Sequence, residues 1–204
     1  MSFLKKISKA RWWLLAFIVI LQIFILVISP EEETLGGGIK PVYLHVSLTW
    51  TGMVLFLLNG LLALGVIVSG NARMACWQRR IFLISLLIYG AGFLISMYAS
   101  WLNWGGIPWQ EPKIRTALNV VVSGIGAWYL RELIRPLKLK GATGLIPLVY
   151  LFFGGRSPRM VLHPNNPVAT SPIGIQSTFY FLFGLAFLLS LWAIWTHHTQ
   201  TEGC

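Results

Sequence analysis

The sequence predicts an all-α, polytopic membrane protein, with six transmembrane helices in one domain over residues 1–204 and both termini cytoplasmic. Three observations carry this. Of 204 residues, 56% are hydrophobic and 11% charged, where a soluble domain carries about a quarter charged residues. The apolar residues gather in long runs rather than in the alternating pattern, about ten residues long, that builds a membrane barrel. The 16 Lys and Arg outnumber the 6 Asp and Glu, and they sit in short clusters between the runs, as topology signals do.

These figures, with a mean hydropathy of +0.70, exclude an ordinary soluble domain, a disordered chain and a disulfide-stapled secreted module. The clustering of the cations between apolar runs argues against a nucleic-acid partner and for a lipid bilayer.

The six apolar segments run roughly Trp12–Ile28, Val42–Ser69, Ile81–Leu102, Thr116–Leu130, Thr143–Gly155 and Gly174–Trp195. A bilayer core needs about 20 apolar residues in a helix. The second, third and sixth exceed this, and the first is adequate. The fourth becomes adequate when its ends extend into the flanking polar residues. The fifth is short: it spans by borrowing from Lys140–Ala142 and Arg156, or it is partly re-entrant. Helices are required because backbone groups in lipid must be satisfied within the segment.

The first segment follows Lys5, Lys6, Lys9 and Arg11, like the start of a signal peptide. Val27–Ile28–Ser29–Pro30 lacks the small-x-small pattern of a cleavage site, so it reads as an uncleaved anchor. With the N-terminus inside, the inner segments hold eleven Lys and Arg: Lys5, Lys6, Lys9, Arg11, Arg73, Arg79, Arg80, Arg131, Arg135, Lys138 and Lys140. The outer loops 30–41, 103–115 and 156–173 hold five, namely Lys40, Lys113, Arg115, Arg156 and Arg159. The positive-inside rule then sets both termini in the cytoplasm.

Small residues at four-residue spacing, Gly65/Ser69, Ser123/Ala127 and Ala186/Ser190, allow close helix packing. Asn59 and Asn119 are polar within apolar segments, and the expectation is that they hydrogen-bond between helices. Cys76 and Cys204 are too few and too far apart for a zinc site or a disulfide framework. No phosphate loop is present, and no Cys-x-x-Cys-His for covalent heme.

The chemistry rests on histidine. His45 falls at the outer end of the second segment and His163 in the last outer loop, at the same membrane depth, while His197 and His198 fall inside. Between the two outer histidines lies the stretch Ser100 to Lys113, which holds Trp101, Trp104 and Trp109 with Gly105–Gly106 and Pro108. An aromatic belt accounts for most of the ten tryptophans. It accounts less well for three of them in a stretch with turn chemistry, which suits a fixed apolar shelf. Two neutral imidazoles and such a shelf suit a flat iron macrocycle, heme b held non-covalently. Nearby cations, among them Lys113, Arg115 and Arg159, suit its propionates.

Three elements resemble, in order, those of the CcmC/CcsA-type heme-handling proteins of cytochrome c biogenesis. Pro41–Val42–Tyr43–Leu44–His45–Val46 with Trp50 resembles the start of their second helix. Trp104–Gly105, Trp109, Glu111–Pro112–Lys113 and Thr116 resemble a degenerate form of their external tryptophan-rich motif. Ile146–Pro147–Leu148–Val149–Tyr150 and Arg159–Met160–Val161–Leu162–His163–Pro164 are similar to their second histidine segment.

The resemblance covers roughly 42–173. It implies that His45 and His163 are axial ligands of heme iron, and that Trp101, Trp104 and Trp109 hold the ring at the outer membrane surface. It also implies a location in the inner (plasma) membrane and partners for the chain. These are an ABC transporter with its ATPase and membrane subunits, a small single-helix accessory protein, and a periplasmic heme chaperone that receives the heme. The chain departs from the family pattern at Pro108, Gln110 and Glu111, and at Ser157–Pro158–Arg159–Met160, where tryptophans are expected before the second histidine. The leading expectation is a heme-presenting subunit that makes and breaks no substrate bonds. A non-heme structural subunit and a membrane heme lyase are the alternatives.

Overall fold

A computed structural model describes the backbone of residues 2–154 and 168–200, with side chains for 11–154 and 168–196. The described residues form seven helices: α1 Ser2–Ile28, α2 Ile39–Ser69, α3 Ala72–Trp104, α4 Pro112–Leu133, α5 Leu137–Thr143, α6 Ile146–Phe153 and α7 Ile173–Gln200. Four helical stretches are long and apolar enough to cross a membrane: Arg11–Ile28, Ile39–Ser69, Ala72–Trp104 and Ile173–Thr196. The all-helical membrane class therefore stands. One isolated bridge, Glu32 to Gly36, interrupts the helical pattern in the link between α1 and α2.

Local chemistry sets the ends of these helices. Gly70 adopts the left-handed conformation, with φ of 63°, and its N–H bonds to Val66 O, which closes α2. Asn71 then accepts from Met74 N at 3.1 Å and starts α3 at Ala72. The third helix thus begins well before the expected Ile81, and Arg73, Arg79 and Arg80 lie on it rather than in a loop. At its other end Gly105, with φ of 71°, caps Trp104. Pro112 occupies the first turn of α4, where its missing N–H costs nothing. The 22 residues of α4 span about 33 Å, so the expected fourth helix does extend into its polar flanks.

The α2–α3 pair is the tightest contact. A Cβ at Gly52 would sit 2.6 Å from Tyr89 Cβ, and one at Gly92 would sit 2.8 Å from Thr49 Oγ1. Neither glycine belongs to the small-residue pairs singled out by spacing, although Ala127, Ala186 and Ser190 of those pairs are buried. Gly52→Ala is expected to destabilise by about 1–3 kcal/mol, because backbone atoms of α3 would have to move. Gly90→Ala, with nothing within 4 Å, serves as the control. Equal unfolding midpoints of the two variants in detergent would disprove the close approach.

α7 packs on α2 through Tyr43 and Phe179, whose ring centroids lie 4.7 Å apart, and through Trp50 against Phe179, Tyr180 and Phe183. α1 reaches the bundle mainly along α7. Trp192 Nε1 donates to Arg11 O at 2.8 Å, and Trp12 meets Trp192 edge to face. The start of α1 and the end of α7 therefore lie on one side of the bundle.

The fifth apolar segment corrects the expectation of one helix over 143–155. It is two short helices, α5 and α6, broken at Gly144–Leu145. Pro147 has no N–H to donate to Thr143 O, so the ladder cannot continue. Gly144 N and Leu145 N turn instead to Gly141 O and Ala142 O, both at 3.0 Å. The broken segment runs antiparallel to α4. Arg131 meets Lys140, Gly124 faces Pro147, and a Cβ at Gly154 would lie 2.9 Å from Thr116 Cγ2. From Arg131 to Thr116 is about 22 Å of α4.

Polar groups hold the break in place. Asn59, fully buried on α2, donates to Gly144 O at 2.8 Å and accepts from Gln78 Nε2 at 2.8 Å. Arg131, 3% exposed, donates to Gln78 Oε1, to Lys140 O at 2.8 Å and to Ala75 O at 3.0 Å. The expectation for Asn59 is met. Asn119 faces outward instead, with no interhelical hydrogen bond among the described residues. Cys76 is buried on α3 and disulfide-bonded.

Candidate functional site

The described candidates, His45, Trp101, Trp104, Trp109, Lys113 and Arg115, lie toward the end of the bundle that carries the starts of α2, α4 and α7 and the end of α3. Antiparallel packing brings them there. Asn103, on the last turn of α3, donates to Gly38 O at 3.0 Å and to Ala99 O at 2.9 Å. One side chain thus pins the tryptophan-bearing turn of α3 to the start of α2. His45 lies seven residues after Gly38 on α2, about 10 Å further along. The register set by Gly52 against Tyr89 and Thr49 against Gly92 puts His45 level with Ser96 of α3. His45 is half-buried, and its carbonyl accepts from Thr49 Oγ1 at 2.7 Å.

The entry to α2 is also fixed. Tyr43 OH donates to Pro30 O at 2.9 Å, and Lys40 Nζ donates to Val27 O at 3.1 Å. Lys40, counted by sequence as an outer cation, thereby closes the link between α1 and α2. Glu32 organises the same link by accepting from Thr34 Oγ1, Thr34 N and Leu35 N. The Thr34 hydroxyl, with the two backbone N–H groups, holds its carboxyl below the usual carboxylate range.

Two of the three tryptophans of the stretch stand on a helix rather than in a loop. Trp101 and Trp104 belong to the last turn of α3, because the helix continues until Gly105 ends it. The connection to α4 is only 105–111, tightened by Trp109 N to Ile107 O and Glu111 N to Pro108 O, both 2.9 Å. Trp101, Trp104 and Trp109 are 59%, 45% and 54% exposed, and Trp101 stacks on Tyr98. Glu111, at the N-cap of α4, is 2% exposed. Its burial was not legible, since an acid between a turn and a proline reads as solvated. Lys113 and Arg115 follow on the first turn of α4, both exposed. Arg159 and His163 lie outside the described residues.

A cavity of about 350 Å³ opens beside the first turns of α7, walled by Ile173, Gln176, Ser177, Tyr180 and Phe181. Gln176 Nε2 is held by Ser171 O at 2.7 Å.

Among the described residues no three His, Cys, Asp or Glu side chains gather into a metal-binding group. A closed tetrahedral ion site needs about four ligands, so the described donors do not build one. The donor set fits a heme better. It offers one imidazole, three exposed indoles and two exposed cations at one end, and heme asks for axial nitrogen, apolar contact and propionate partners. No protein-family model matches the chain, and no curated protein matches it.

Proposed function

We propose that the chain is a heme-binding membrane subunit of cytochrome c maturation, which binds heme at the outer membrane face and presents it to a heme chaperone. The observation that carries this reading is the joint placement of His45, Trp101, Trp104, Trp109, Lys113 and Arg115 at one end of the bundle, locked by the Asn103–Gly38 hydrogen bond. The resemblance of 42–173 to the CcmC/CcsA-type proteins supports it.

In this reading the heme is cargo, and its iron supplies the axial coordination positions. His45 contributes one imidazole and His163 the second. The exposed indoles of Trp101, Trp104 and Trp109 cover the apolar ring and keep water from it. Lys113, Arg115 and Arg159 meet the propionates. The chain itself catalyses nothing: an ABC transporter with its ATPase and membrane subunits, a small single-helix protein and a periplasmic heme chaperone are its proposed partners in the inner (plasma) membrane. The segment α5–α6 is the fifth of six crossings, which brings both termini to the cytoplasm.

The test is the visible absorption spectrum of the detergent-purified protein, before and after heme is supplied. A Soret band that survives removal of free heme is expected. No band under either condition would sink the proposal and leave a non-heme structural subunit. Covalent attachment of heme to a co-expressed Cys-x-x-Cys-His peptide would make the protein a lyase instead.

A further inference from the structure

We propose that the opposite end of the bundle carries a site for the headgroup of an anionic phospholipid, formed by the α2–α3 turn and by α5. Exposed cations and exposed apolar side chains stand side by side there. Gly70 turns the chain between α2 and α3, and the Lys138 Cε of α5 lies 3.5 Å from where a Gly70 Cβ would sit. Arg73 is exposed on the first turn of α3, and Arg135 is exposed in the link between α4 and α5.

Among the described residues Glu132 is the one carboxylate here, and Arg79 Nε holds it at 3.0 Å. Glu31, Glu32, Glu33 and Glu111 all lie at the His45 end. No carboxylate pairs with Arg73, Arg135 or Lys138 among the described residues, and a headgroup that brings negative charge suits them.

The partner is a membrane lipid because apolar side chains stand beside the cations. Val68, Leu133 and Leu139 are all strongly exposed. Val68 lies in the last turn of α2, Leu133 ends α4, and Leu139 alternates with Lys138 and Lys140 on α5. Water would disfavour these side chains, whereas acyl chains below a headgroup would cover them. Basic residues at a bilayer surface attract anionic lipids, each by about fivefold.

Native mass spectrometry of the full-length protein in detergent, titrated with phosphatidylglycerol or phosphatidylcholine, tests this. Phosphatidylglycerol should be retained over phosphatidylcholine. The preference should fall about fivefold in each of Arg73→Gln, Arg135→Gln and Lys138→Gln, and on the order of a hundredfold in the triple variant. Arg79→Gln should change it less, because Glu132 already holds that guanidinium. Raising the salt concentration on the unaltered protein must also erode the preference, a reading that needs no variant to fold. Equal retention of the two lipids, or a preference that survives the triple substitution, overturns the proposal. So does full displacement of phosphatidylglycerol by inorganic phosphate, which would make the site one for free phosphate.

Discussion

His45→Ala is expected to weaken heme binding by at least about tenfold and to shift whatever Soret band remains. Groups that only orient a metal ligand already cost about 10–100-fold when removed, and the ligand itself cannot cost less. The same loss is expected for His163→Ala, and the double variant should show no band. The cations weigh less. Lys113 and Arg115 are exposed, and an exposed ion pair is worth up to about 1 kcal/mol. Lys113→Gln or Arg115→Gln should therefore weaken binding by no more than about fivefold and leave the band position unchanged. This ordering separates ligation from attraction. If His45→Ala kept the parent spectrum while Lys113→Gln lost it, heme would be held by charge alone and His45 would be an interface residue. A helical far-ultraviolet spectrum for His45→Ala would show that the loss is local.

Much of the fold was legible because lipid imposes composition. Runs such as Ile39–Ser69 and Ile173–Thr196 can only be helices if they lie in a bilayer. Asn59 stood out for the same reason, as an amide amid apolar neighbours, and it does bond across helices. The rest was hidden where one residue type serves two purposes. Arg79, Arg80 and Arg131 all read as inner-loop cations, yet Arg80 and Arg131 are buried while Arg79 is half-exposed. Gln78 sits among them and carried no signal. The break in the fifth segment was written in Gly144 and Pro147, but a short apolar run looks the same whether its helix is broken or re-entrant. At the candidate site, Trp101 and Trp104 looked like loop residues because Gly105–Gly106 and Pro108 follow so closely. The helix runs up to the first glycine, and Asn103, three residues after Ser100, supplies the pin that spacing could not reveal.

Arg131→Leu is expected to destabilise the protein by roughly 2–4 kcal/mol. The guanidinium is 3% exposed and reaches acceptors on two helices: Gln78 Oε1 and Ala75 O on α3, and Lys140 O on α5. Leucine would fill similar space but leave these acceptors dry, at about 1–3 kcal/mol for a buried acceptor with no other partner. The carbonyls retain part of their bonding, since Lys140 O also accepts from Thr143 Oγ1 at 2.9 Å. Interhelical hydrogen bonds in membranes average only about 0.6 kcal/mol. Both corrections keep the total at a few kcal/mol rather than at the sum of three full penalties. Arg131→Lys should fall between the parent and Arg131→Leu, because one ammonium cannot reproduce the fork. The coupling is the sharper reading. Gln78 bonds both Arg131 and Asn59, so Arg131→Leu and Asn59→Leu should be non-additive by at least about 0.5 kcal/mol. Arg79→Gln breaks a half-exposed ion pair to Glu132 and should cost less than about 1 kcal/mol. Denaturation in mixed micelles measures the four single variants and the Arg131→Leu, Asn59→Leu double variant. If Arg131→Leu and Arg79→Gln cost the same, the buried network does not hold α5 against α3, and the break at Gly144 must be kept by apolar packing of Leu148 and Pro147 alone. If they differ as expected, two arginines that look alike in the sequence divide into an interior staple and a surface charge, and the staple is what keeps the broken fifth segment against α4.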